Sequence, residues 1–113
     1  MAKGRDIRSG VVVRGISQAG AFSKEEVDQD ERLTEASVNA EEGVADPRRA
    51  AVGMSQQNFK RGFAAAKAGD IMARGGRVML APMPGNRNHC QIFGLPLKDA
   101  NNLFSNVREW KEL

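Results

Sequence analysis

The chain has one cysteine, one histidine, one tryptophan and no tyrosine in 113 residues. A single thiol cannot close an internal disulfide, and small secreted domains usually carry even sets of cysteines, so a reducing, cytoplasmic setting is expected. His89 and Cys90 are adjacent, and on a strand adjacent side chains point to opposite faces, so they cannot share an ion. With no second histidine or cysteine there is no zinc set, and no metal site is expected. No apolar run approaches the roughly 18 residues that cross a bilayer, and the three valines after the basic start do not make a signal-peptide core. No membrane contact is expected. GDIMARGG has glycines, but not at the spacing of a P-loop or a dinucleotide fingerprint, so no cofactor is expected either.

What is present reads as one globular domain. Hydrophobic residues make up 41% and charged residues 27%, an ordinary balance for a chain near the modal domain size. The net charge of +3 conceals a segregation. Between Ser23 and Glu42 eight acidic residues stand against two basic ones, a net of −6, which leaves +9 for the rest. A basic surface of that kind, with Arg48, Arg49, Arg77 and Arg87 as candidate binding residues, suits a protein or nucleic-acid partner. Aromatic residues are only 5%, so few side chains are available as base-stacking platforms.

Local patterns give the elements. The β-branched run in GVVVRGI (10–16) favours a strand, buried on both faces because its apolar residues are consecutive. Residues 1–9 are polar and basic and are expected to form a flexible N-terminus. Ser23 with Glu26 has the capping-box spacing of a helix start. The stretch 23–46 then reads as an acidic helix-loop excursion free to move, with a short strand at 36–38 as an option. AAVGM (50–54) reads as a strand. Phe59, Phe63 and Ala66 follow at helical spacing, which predicts a central helix over 56–74. RVMLA (77–81) and HCQIF (89–93) read as two strands of a hairpin across the turn-forming loop PMPGNRN. Leu97, Ala100, Leu103, Phe104, Val107 and Trp110 fall on one face of an amphipathic C-terminal helix. The expected architecture is α+β: one domain over 10–113, with a small, mainly antiparallel sheet packed by the C-terminal helix and the central helix.

Candidate chemistry centres on His89. It opens a predicted strand beside a Gly/Asn/Pro loop, and histidine is the side chain whose ordinary pKa suits proton transfer near neutrality. Cys90 reads as a small buried hydrophobe. Arg14 closes a buried strand and is followed by Gly15 and Ser17. This weakly resembles the opening strand of ADP-ribosyltransferase-type toxin domains. VGMS (Val52 to Ser55) is similar to a degenerate form of that family's Ser-Thr-Ser strand, whereas the family's Glu-x-Glu turn is absent. The resemblance implies that Arg14 would hold a nicotinamide dinucleotide. The order of helix, hairpin and single histidine also resembles small ribonuclease toxins, which implies His89 as acid/base with Arg87 or Arg77 beside the phosphate.

Two function classes follow. With no complete catalytic constellation visible, the leading expectation is a non-enzymatic binding or accessory protein that contacts a protein or polyanion through its basic face. The alternative is a small toxin-like enzyme, a metal-independent ribonuclease or an ADP-ribosyltransferase-like protein, using His89, Arg14 and Ser55. Convergence of Arg14, Ser55, Arg87 and His89 in one pocket would favour the enzyme. Sequence leaves the oligomeric state open.

Overall fold

Val12 and Val13 are both fully buried, which requires a strand covered on both faces, because successive side chains alternate across a strand. That strand is β1, Val11–Gly15, in a computed structural model that describes residues 4–16 and 21–109. With β2 (Ala36–Ala40), β3 (Phe63–Lys67), β4 (Arg77–Leu80) and β5 (His89–Phe93) it forms a five-stranded antiparallel sheet in the order β3-β1-β2-β5-β4. Three short helices, α1 (Pro47–Ala50), α2 (Ala68–Ala73) and α3 (Leu97–Leu103), complete an α+β fold. None of the described helices is long and apolar enough to cross a membrane.

The sheet separates two apolar clusters. The larger includes Ile7, Val12, Leu33, Val38, Ile92 and Phe104, and Phe22 meets Phe104 edge to face at 5.1 Å between ring centroids. The smaller gathers Val13, Ala50, Ala51, Phe59 and Phe63. The segment 47–59 therefore covers the second face over β1 and β3, and over β2 at Asn39, which donates to Ala50 O. Ser37, Gln91 and Met79 sit side by side on that face in β2, β5 and β4 and belong to neither cluster.

The 77–80 and 89–93 strands pair as the expected hairpin, with Val78 opposite Ile92 and Leu80 opposite Cys90. Elsewhere the structure corrects the sequence reading. The expected 56–74 helix is a 3-10 turn (Gln56–Phe59), strand β3 and helix α2. Alanine-rich FAAAK has helical propensity, but its alternating side chains find a core on each face of the sheet, and tertiary burial overrides propensity. Gly62, at φ +107°, breaks the chain before it, and a Cβ there would overlap the Arg108 carbonyl. AAVGM is not a strand. Asp46 accepts a hydrogen bond from Arg48 N at 3.0 Å and Pro47 occupies the first turn, so Asp-Pro starts the short helix α1, which runs to Ala50. Ser23 and Glu26 form the expected capping box, yet only around a three-residue 3-10 turn.

The C-terminal helix ends at Leu103. Ser105 Oγ competes for a carbonyl of the last turn by donating to Asn102 O at 2.9 Å, and the asparagines around it are poor helix formers. Phe104 is buried and Val107 is exposed, so the amphipathic face stops short, and its last member, Trp110, lies outside the described residues, as does Ser17. Residues 36–40, inside the stretch read as an acidic excursion, are a central strand. Residues 4–7 run along the outer edge of β4. Gly4 N donates to Leu80 O, Leu80 N to Arg5 O and Ile7 N to Val78 O, and Ile7 is 1% exposed. The Glu42 carboxylate fastens the next two residues, accepting from Arg8 N (2.9 Å), Ser9 N (2.7 Å) and the Ser9 hydroxyl.

Candidate functional site

β1 pairs with β3 along its full length but with β2 over only two residues, Val12 opposite Ala40 and Val13 opposite Asn39. β2 pairs onward with β5 from Ala36 to Asn39. The two central strands thus part company after Val13, and a cleft of about 220 Å³ opens at the split. Arg14, Gly15, Ser37, Asn39, Met54, Asn58, Asn86 and His89 line it.

Arg14 fills the fork. Its Nε donates to Ala21 O (3.0 Å), Nη1 to Ser37 O (2.7 Å), and Nη2 reaches both Glu26 carboxylate oxygens at 2.8 Å. The guanidinium also stacks over Phe22, 4.4 Å from the ring centroid. Glu26 in turn accepts from Ser23 N. The acidic segment is therefore clasped to the sheet by a compensated charge, and the Ser37 carbonyl, which a continuous ladder would have placed opposite Gly15, takes its hydrogen bond from a side chain.

His89 stands across from Asn39 in the β2–β5 pairing. Its Nδ1 lies 2.8 Å from Ala81 O and its Nε2 lies 3.2 Å from Ser37 Oγ. A carbonyl oxygen only accepts, so Nδ1 carries the proton, and in the neutral ring Nε2 is left as an acceptor for the Ser37 hydroxyl. This places a hydroxyl, a base and a group that orients the base in one line, the geometry of an activated nucleophile.

Asn39 and Asn86 form the floor. Asn39 Nδ2 donates to Asn86 Oδ1 at 2.8 Å and Asn86 Nδ2 returns a bond to Asn39 Oδ1 at 3.0 Å. Asn39, 1% exposed, also reaches Ala50 O at 3.2 Å. These amides satisfy each other and tie the hairpin loop to α1. Asn58 enters from the 3-10 turn because Gly15 has no side chain: a Cβ on Gly15 would come within 2.8 Å of Asn58 Cβ.

Of the residues singled out in the sequence, Arg14 and His89 share this cleft, and Ser55 and Arg87 do not line it. Ser55 caps the 3-10 turn by accepting from Gln57 N. Arg87 borders a different depression with Arg5, Glu41 and Glu42. Arg49 pairs with Glu41 at 3.4 Å and Arg77 with Asp6 at 3.0 Å, so two of the four candidate binding arginines have carboxylates beside them, while Arg48 projects from α1 as an exposed side chain. Cys90 is fully buried, and burial pushes its thiol up to about 11. Among the described residues no group of three or more His, Cys, Asp or Glu is placed to hold a metal ion.

No protein-family model, curated protein or solved structure matches this chain. The site must therefore be read from its own geometry. At about 220 Å³ the cleft is smaller than the roughly 300–1,000 Å³ that encloses a drug-sized ligand. It suits the reacting group of a larger molecule better than an enclosed dinucleotide. Sequence reasoning overlooked Ser37, Asn39, Asn58 and Asn86. A signal for the first two existed: in ASVNA the polar residues recur at period two, which sends both to one face.

Proposed function

We propose that this protein is a small acyl-transfer hydrolase in which Ser37 is the nucleophile and His89 its general base. The observation that carries this reading is the 3.2 Å contact between Ser37 Oγ and His89 Nε2, in a ring whose Nδ1 is held 2.8 Å from the Ala81 carbonyl. Ser37 Oγ attacks an ester carbonyl carbon as its proton passes to Nε2. The resulting imidazolium returns that proton to the leaving alcohol as the carbon–oxygen bond breaks. Water, deprotonated by the same nitrogen, then attacks the acyl carbon and releases Ser37 with its proton restored. Arg14 is a positioning residue in this scheme: its bond to Ser37 O holds the backbone from which the hydroxyl projects.

A fluorophosphonate probe tests the reading, because it reacts with activated serine hydroxyls. The expected result is a single adduct that mass spectrometry maps to Ser37. It should be absent in Ser37→Ala and slowed about 10²–10⁴-fold in His89→Ala, the usual contribution of a general base. No adduct on the native chain, or one formed equally fast in His89→Ala, would overturn the assignment. The non-enzymatic reading, a binding module acting through its basic residues, predicts no adduct on the native chain.

A further inference from the structure

An acyl-transfer site needs more than a nucleophile and a base. Negative charge develops on the carbonyl oxygen, and a donor fixed in place before reaction stabilises it. The cleft offers three side-chain amides and one guanidinium. Asn39 and Asn86 are engaged with each other. The Arg14 guanidinium is bound to Glu26, Ala21 O and Ser37 O, and its charge is balanced by the carboxylate. Asn58 differs from these. Among the described residues its side-chain amide makes no hydrogen bond, although it lines the same cleft as Ser37 and His89. Its backbone N–H is used, donating to Ser55 O at 3.0 Å, which fixes the turn that carries it. The approach of that turn to β1 depends on Gly15, whose missing Cβ leaves room for Asn58.

Resting on the Ser37–His89 reading, we infer that Asn58 is the oxyanion donor of this site. Its Nδ2–H groups serve the developing alkoxide of an ester or thioester substrate. A neutral donor suits the position, since the one guanidinium nearby is already committed to holding the acidic segment.

The test compares second-order rates of Ser37 modification by the same fluorophosphonate in Asn58→Ala, Asn58→Asp and Asn58→Gln. Asn58 is exposed, so all three variants should fold, and their urea midpoints should match the parent. Asn58→Ala and Asn58→Asp should lower the rate about 10²–10³-fold, the usual loss for one oxyanion donor. Asn58→Gln, which keeps an amide N–H, should exceed both. Asn58→Ala within about threefold of the parent, or Asn58→Gln no faster than Asn58→Ala, would overturn the inference while leaving Ser37 and His89 in place. Undiminished labelling in His89→Ala would instead overturn the dyad itself.

Discussion

Replacing Arg14 by Met keeps an unbranched aliphatic side chain and removes every side-chain donor, with the guanidinium that stacks on Phe22. The structure sets the size of the loss. The Arg14 and Glu26 side chains are 16% and 24% exposed, between the exposed pairs worth about 0–1 kcal/mol and the buried pairs whose rupture costs about 3–5 kcal/mol. A central value is about 2 kcal/mol. The stacking on Phe22 at 4.4 Å adds about 0.5–1 kcal/mol, and the Ala21 and Ser37 carbonyls lose their donor. Arg14→Met should therefore destabilise the chain by about 2–3 kcal/mol, seen as a lower urea midpoint with an unchanged slope. For a domain of this size that corresponds to a melting point lower by roughly 8–12 °C. A double-mutant cycle with Glu26→Gln isolates the pair, and a coupling of about 1 kcal/mol or more is expected. Arg14→Lys should rescue little, because a single ammonium cannot span the three separate acceptor groups that the guanidinium reaches. A midpoint shift below about 0.5 kcal/mol, the ordinary scatter of surface substitutions, together with no coupling, would refute the claim that Arg14 is a clasp.

Two further outcomes follow from groups at a distance from the cleft. Cys90, buried and pushed up to about 11, should resist iodoacetamide at pH 8 in the folded chain and react when urea unfolds it; rapid stoichiometric alkylation without denaturant would contradict its placement. Glu42 is held below its ordinary 4.5 by the Ser9 hydroxyl and then by the Arg8 N–H. A carboxyl whose folded pKa is depressed contributes stability above its unfolded pKa and loses it as pH falls through the folded value. The stability advantage of the parent over Glu42→Gln should thus be present at pH 6 and vanish on acidification below 4.5, as followed by thermal melts across pH; an advantage independent of pH would exclude this mechanism.

Sequence gave access to what depends on short-range pattern. The valine run, the 77–93 hairpin and the capping box at Ser23 each rest on residues within a few positions of one another, and each is present. The α+β class followed from them. FAAAK was opaque because alanine fits either regular structure, and only the cores on both sides of β3, built by residues far along the chain, decide for a strand. Ile7 was opaque for a related reason: a lone apolar residue in a basic segment carries no period, and its burial comes from pairing with β4, about seventy residues away. In the site, His89 and Arg14 were legible as rare or strand-ending polar residues. Ser55 stands out only by a motif similarity, and the serine beside the histidine is instead Ser37, brought there by the β2–β5 register. No local rule connects positions 37 and 89.

The same long-range logic explains why the cleft exists. Had β1 and β2 stayed paired in the register they begin with, Arg14 would face Val38 and Gly15 would face Ser37, and the Ser37 carbonyl would have a ladder donor. Instead β1 turns away with β3, where Ala64 and Ala66 are small enough for close packing, and β2 continues with β5. Parting two central strands leaves backbone carbonyls without ladder donors, a cost that a buried sheet rarely sustains. Arg14 offsets it, because one guanidinium can donate to Ser37 O and Ala21 O while its charge is neutralised by Glu26. An arginine at the end of a valine strand is thus the residue type that lets the sheet fork. The β2–β5 register sets Ser37 beside His89, and Gly15, at the end of β1, leaves room for Asn58 to approach the same cleft.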